Sequence, residues 1–126
     1  MPGRIVGIAC GLLVTAASAG SAHAAGDAQA GEAVFEKSCA VCHTVEEAKN
    51  KVGPSLHGVV GRHFAAVSDY TYSDALKKAD KTWDDQTLDA YLANPRALVP
   101  GTKMIFLGLK SAEDRQNVIA FLQSQK

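Results

Sequence analysis

Residues Cys39-Ala40-Val41-Cys42-His43 constrain this chain more than any other feature. Two cysteines three positions apart on a helical turn project to the same side, and the histidine after them is carried along. Thiols so placed can add across the two vinyl groups on one side of a porphyrin, forming thioether bonds, while the His43 imidazole reaches the iron. The pattern C-x-x-C-H is the attachment signature for c-type haem. The predicted cofactor is therefore one haem c, covalent through Cys39 and Cys42. Two other chemistries use the same residues. A redox-active C-x-x-C disulfide expects a βαβ pattern around the motif, and none is visible. A structural zinc site expects a second ligand pair downstream, and only the isolated His57 and His63 are on offer.

Covalent capture suits a protein exported from the cytoplasm, and the N-terminus reads as a leader. Arg4 precedes an uncharged, mostly apolar run from Ile5 to Ala17, and small residues follow, ending in Ala22-His23-Ala24. That order is a positive n-region, an apolar h-region and an A-x-A cleavage site. The run falls short of the about 20 residues that a bilayer requires. We expect a signal peptide over residues 1–24, a haem domain over 25–126, periplasmic location and no membrane insertion after cleavage. The alternative is a short N-terminal helix that is retained. Cys10 could mark a lipoprotein leader, but Gly7 stands where a branched apolar residue is expected, so Cys10 reads as part of the signal peptide.

The whole chain of 126 residues leaves room for one domain. It carries 13 Lys and Arg against 13 Asp and Glu; losing Arg4 with the leader leaves 12 against 13, a net charge of −1. That balance excludes a nucleic-acid binder, which must neutralise many phosphates. No block of like charge suggests a membrane-surface helix. A mature chain of roughly a hundred residues buries only a small core, so a large apolar prosthetic group adds much to its stability.

Helical segments joined by loops account for the rest, and no β alternation persists. Asp27 is placed to cap a helix over Ala28–Ser38, in which Ala30, Gly31, Val34 and Phe35 form one face. The loop after the haem motif is broken by Gly53-Pro54, Gly58 and Gly61. Ser73 predicts a short helix over Asp74–Ala79. Thr82 with Asp85 resembles a capping box and opens a helix through Ala93, stopped by Asn94-Pro95. A loop over Pro95–Leu109 contains Pro100-Gly101, and Ser111 with Asp114 caps a last helix with Val118, Phe121 and Leu122 on one side. The fold class is all-α, a few helices wrapped around a cofactor.

An iron bound by His43 has one more axial position, and its occupant decides the function. The candidates are His57, His63, Met104 or nothing. A loop methionine is by default a packing residue. Met104 nevertheless follows Pro100-Gly101-Thr102-Lys103, a stiff stretch able to hold a thioether over the ring without sacrificing helix hydrogen bonds. His57 lies close in sequence to His43 for a residue that must cross the ring's edge, and His63 sits among polar loop residues. This setting favours Met104 and leaves the other readings open.

Taken in order, these residues resemble the class I cytochromes c, the family of mitochondrial cytochrome c and bacterial cytochrome c-two, over about Gly26 to Gln123. Gly31 and Phe35 look like the pair that packs the N-terminal helix against the C-terminal one, here at Phe121. Gly53-Pro54-Ser55-Leu56-His57-Gly58 is similar to the loop whose proline carbonyl accepts a bond from the ligand histidine, which orients the ring and strengthens its donation. Arg62, Tyr72 and Trp83 match positions that bond the haem propionates; Tyr91 and Thr102 match residues near the methionine sulfur and the inner propionate. Pro100-Gly101-Thr102-Lys103-Met104-Ile105-Phe106 looks like the sixth-ligand loop. Singly, Trp83 and Tyr91 would be core aromatics and Arg62 a solvated charge, but in family order they support one another. The resemblance thus implies the class I cytochrome c fold, with iron ligated by His43 and Met104.

It also implies a soluble, monomeric one-electron carrier and not an enzyme, shuttling transiently between a cytochrome bc-type complex and a terminal oxidase or photosynthetic reaction centre. An electron-accepting subunit of one periplasmic dehydrogenase is an alternative. So is a haem enzyme or gas binder with an open sixth position. One departure from the family stands out. Mitochondrial cytochrome c is strongly basic, whereas here Lys37, Lys51 and Lys103 are edge charges on a nearly neutral protein, so docking is expected to be less salt-dependent.

Overall fold

The computed structural model describes residues 26–126 and, before them, Gly3 alone. The signal peptide expected over residues 1–24 therefore lies, apart from Gly3, outside the described residues. Among the described residues five helices follow one another: α1 (Ala28–Ser38), α2 (Asp74–Ala79), α3 (Asp85–Ala93), α4 (Pro95–Leu98) and α5 (Ala112–Gln123). Among the described residues there is no strand, only an isolated antiparallel bridge between His63 and Thr82.

Local chemistry explains most helix boundaries. The Asp27 carboxylate accepts from the amides of Gln29 and Ala30, two donors with no partner inside the helix. Ser73 does the same for Leu76 at α2, and Ser111 for Asp114 at α5. Helix α3 departs from the expected capping box. Its N-cap is Asp84, which accepts from Thr87, and not Thr82. The backbone of 82–83 is held extended instead, because Trp83 donates to the Arg62 carbonyl and Gly61 to that of Trp83. Asn94-Pro95 ends α3 as expected, but it also starts α4 inside the segment read as loop. The Asn94 side chain accepts from Ala97, and Pro95 at the first helical position has no amide to waste.

The principal tertiary contact is α1 against α5. Gly31 makes it possible: a Cβ there would lie 1.9 Å from the Asn117 carbonyl oxygen. Helix backbones come that close only where a side chain is missing. Phe35 and Phe121 fill the space beside the crossing, ring centroids 5.4 Å apart. Of the expected α1 face, Gly31 and Phe35 are buried, while Ala30 and Val34 are half-buried. Helix α3 also packs on α5. Arg115 reinforces this corner, donating to Asp89 at 2.7 Å and to the Leu109 carbonyl at 2.8 Å. Between the helices, Phe64, Trp83 and Tyr91 stack in series, with centroids 3.9 and 4.9 Å apart.

Candidate functional site

The helices do not close on one another; they enclose a cavity of about 490 Å³. Its walls are mostly apolar, supplied by Leu56, Val59, Leu76, Leu88, Leu92, Val118 and Leu122. All ten residues singled out from the sequence line it: Cys39, Cys42, His43, Pro54, Arg62, Tyr72, Trp83, Tyr91, Thr102 and Met104. His57 and His63 do not. His57 bonds the Val45 carbonyl through Nδ1, and His63 is exposed beside Asp80.

The cysteines sit on a hydrogen-bonded turn that continues past α1: Cys42 and His43 both donate to the Cys39 carbonyl, at 3.0 and 2.9 Å. Cys39 and Cys42 are not joined by a disulfide. Burial, with a smaller contribution from Cys42, pushes the Cys39 thiol up to about 11. Reactive C-x-x-C cysteines have lowered values, so this environment argues against thiol exchange. Among the described residues no group of three or more His, Cys, Asp or Glu could hold a metal ion.

His43 is oriented from behind. Its Nδ1 lies 2.8 Å from the Pro54 carbonyl oxygen. A carbonyl can only accept, so Nδ1 carries the proton and the lone pair is left on Nε2. Burial lowers the His43 pKa, opposed by the Pro54 bond and aided by Arg62 and Lys51, which favours the neutral imidazole that a metal needs. Gly53 leaves room for this ring: a Cβ there would stand 2.3 Å from Cε1. Met104 comes from a separate segment. Its amide donates to Thr102 Oγ1 at 3.4 Å, and that hydroxyl bonds the Tyr91 hydroxyl at 2.8 Å. Arg62 is half-buried, donating through Nη1 and Nη2 to the carbonyls of His57 and Ser55 at 3.1 and 3.0 Å. Its Nε is buried without a partner. Tyr72 accepts from the Val67 amide at 3.2 Å, leaving its own O–H to donate.

The cytochrome c family model matches residues 28–126. The chain belongs to the cytochrome c family. It is 54% identical over 106 residues to cytochrome c2 of Rhodomicrobium vannielii, covering 83% of this chain and 84% of that protein. With cytochrome c of Gibberella zeae it shares 50% identity over 101 residues, 79% of this chain and 95% of that one. The solved structure of cytochrome cH from Methylobacterium extorquens superposes with a TM-score of 0.74 at 46% identity, over 79% of this chain and 99% of that one.

This cytochrome therefore has the all-α class I fold, carries covalent haem c and is a single-haem electron carrier, not an enzyme. The cavity fits the group on independent grounds: apolar walls, thiols at one edge, an oriented imidazole and a buried guanidinium nitrogen with no partner of its own. Sequence reasoning missed three features of the site. The clearance role of Gly53 needs the His43 ring position. The apolar wall residues come from several helices. Tyr70 lines the cavity mouth, and the pairing of two tyrosines in Tyr70-Thr71-Tyr72, amid polar loop residues, was the available signal. Lys51 and Lys103, expected as edge charges, are both exposed, and their ammonium groups donate to the carbonyls of Ala40 and Thr71.

Proposed function

We propose that this cytochrome is a periplasmic, monomeric shuttle whose iron is held by His43 and Met104. It would carry single electrons from a cytochrome bc-type donor, or from a periplasmic dehydrogenase, to a terminal oxidase or a photosynthetic reaction centre, in respiration or photosynthesis. The observation that carries the ligand assignment is the convergence of His43 and Met104, from segments far apart in sequence, on one cavity that His57 and His63 do not reach. Among the described residues no helix is long and apolar enough to cross a membrane. That is compatible with export through a cleaved leader over residues 1–24 and a haem domain over 25–126.

The bound haem supplies one-electron chemistry at its iron. The chain's residues determine the conditions for it. Pro54 holds the His43 proton on Nδ1 and so presents Nε2. Thr102 and Tyr91 brace the backbone at Met104, and a thioether there in place of a second imidazole raises the potential. Arg62 Nε, Trp83 and the Tyr72 O–H supply donors for the propionates. With His43 and Met104 both holding the iron, no position would be left on it for oxygen or a substrate. Val41, Val52 and Ile105 rim the cavity mouth and are 78%, 76% and 94% exposed. An apolar rim around a redox centre suits brief docking through a small interface.

The test is an absorption spectrum of protein matured in the periplasm, oxidised and then reduced, beside Met104→Ala. A sharp reduced α band, with a weak far-red ferric band that vanishes in the variant, supports His43/Met104 ligation. A high-spin ferric spectrum unchanged by the substitution would mean an open sixth position and overturn the carrier reading.

A further inference from the structure

Apart from the aromatic core, Ser55 is the one polar residue buried among the described residues, 4% exposed. A buried hydroxyl is costly unless it is bonded, and every polar atom of Ser55 has a partner. Its amide donates to Asn50 Oδ1 at 2.9 Å, and its carbonyl accepts from Arg62 Nη2 at 3.0 Å. Its hydroxyl donates to the Glu46 carbonyl at 2.5 Å and accepts from the His57 amide at 3.2 Å. Two successive peptide groups meet at this residue, and each is planar and rigid. The first joins Pro54 to Ser55: its oxygen accepts from His43 Nδ1 at 2.8 Å, while its N–H is the one held by Asn50. The second joins Ser55 to Leu56: its oxygen is held by Arg62, and its N–H donates to the Thr44 carbonyl at 2.8 Å. The angle between the two planes is set at the Ser55 Cα, and the hydroxyl is the side-chain group that pins it.

We propose that Ser55 is a positioning residue: its hydroxyl fixes the joint between these two peptides, and with it the direction of the Pro54 carbonyl that orients His43. This rests on the reading of His43 as an iron ligand. Ser55 does not line the cavity; it acts from behind, on the acceptor of the ligand's proton. Without the hydroxyl, the His57 amide and the Glu46 carbonyl each lose a partner, and the joint is free to turn. A Pro54 carbonyl turned off the Nδ1–H line makes a weaker bond. The imidazole then donates less to the iron, and the ferric state, which depends more on that donation, loses support. The same joint carries the carbonyl that anchors Arg62, so Ser55 ties the histidine side of the cavity to the guanidinium whose Nε is buried without a partner.

The experiment compares periplasmically matured holoprotein as wild type, Ser55→Ala, Asn50→Ala and Ser111→Ala. Ser111→Ala removes the α5 cap, outside the cavity lining, and controls for destabilisation alone. The readouts are the ferrous-to-ferric ratio at a fixed solution potential, exchange of the His43 Nδ1 proton in the ferrous state by nuclear magnetic resonance, and backbone amide exchange. Ser55→Ala should hold roughly threefold more ferrous protein and exchange the Nδ1 proton roughly tenfold faster. Amides of residues 55–57 should accelerate while α1 and α5 are unchanged. Asn50→Ala, which frees the other end of the first peptide, should move the ratio and the Nδ1 exchange in the same direction by a smaller factor. Where Ser55→Ala accumulates too little holoprotein, Asn50→Ala carries the prediction, and wild-type behaviour in it overturns the proposal. A ratio and Nδ1 exchange in Ser55→Ala that match wild type, or that Ser111→Ala reproduces, would also overturn it. A wild type whose His43 ring protons lack the large upfield shift of a ring bound beneath a haem would instead overturn the ligand reading. Nδ1 and amide exchange, which need no iron, would then decide the role of Ser55 separately.

Discussion

Gly53 illustrates how one missing side chain shapes the site. The ring of His43 occupies the space its Cβ would fill, 2.3 Å from Cε1. Gly53→Ala must push the imidazole aside or displace the loop, and overpacking of this kind costs about 1–3 kcal/mol. We expect less haem-loaded protein from the periplasm, and a weakened far-red band in what survives. Normal yield and an unchanged spectrum would show that the loop moves without taking His43 with it. Arg62 makes a second point at this scale. As a letter in the sequence it was a surface charge; in the molecule two of its nitrogens are used on the carbonyls of His57 and Ser55, while Nε is left buried. Only folding reveals such an unspent donor, because its surroundings come from residues spread over the chain.

At the scale of elements, helix boundaries were legible wherever one side chain decides them. Asp27, Ser73 and Ser111 cap their helices as local chemistry predicts. Thr82 does not, because tertiary bonds from Arg62 and Gly61 keep residues 82–83 extended and leave the cap to Asp84. The Asp84 carboxyl is held below its ordinary value of 3.8, first by the Thr87 amide. A lowered folded-state pKa means that this stabilisation is present above the unfolded value and is lost as pH falls through the folded one. Asp84→Ala should thus lower the melting temperature at neutral pH, and the difference from wild type should shrink on acidification below the ordinary carboxylate range. A difference independent of pH would mean that the charge plays no part. The α1–α5 crossing depends on shape: Phe35→Ala should cost about 3–5 kcal/mol in denaturant unfolding. A loss under about 1 kcal/mol would show that the crossing relaxes around the gap.

For the molecule as a whole, the cofactor completes the core. A cavity of about 490 Å³ lined by leucines, valines and aromatics cannot stay empty in water without collapse. Protein made without haem should therefore show no cooperative thermal transition, read by circular dichroism, whereas the holoprotein should show one. Cooperative melting of the haem-free chain would mean that the helices suffice. The near-neutral charge acts at the same scale. The net charge is near zero and the rim is apolar, so the electron-transfer rate to a redox partner should fall less than about tenfold between roughly 10 and 200 mM salt. Stopped-flow kinetics over that range would check it, and a steeper fall would point to steering by charges elsewhere.

What the sequence by itself determined was the chemistry whose parts lie close together: the C-x-x-C-H attachment site, most helix caps, and the all-α class. Such features are set by side chains a few residues apart, whose spacing is preserved in any fold the chain adopts. The ligand set was half legible. His43 was implied by its neighbours, but Met104 competed with His57 and His63 until family order weighed in. Only the tertiary structure decided which of them reach the cavity, that Gly53 yields its space to His43, and that Tyr70 and Lys103 meet across the mouth. Each of those facts is a distance between residues remote along the chain, and such distances exist only once the helices have packed.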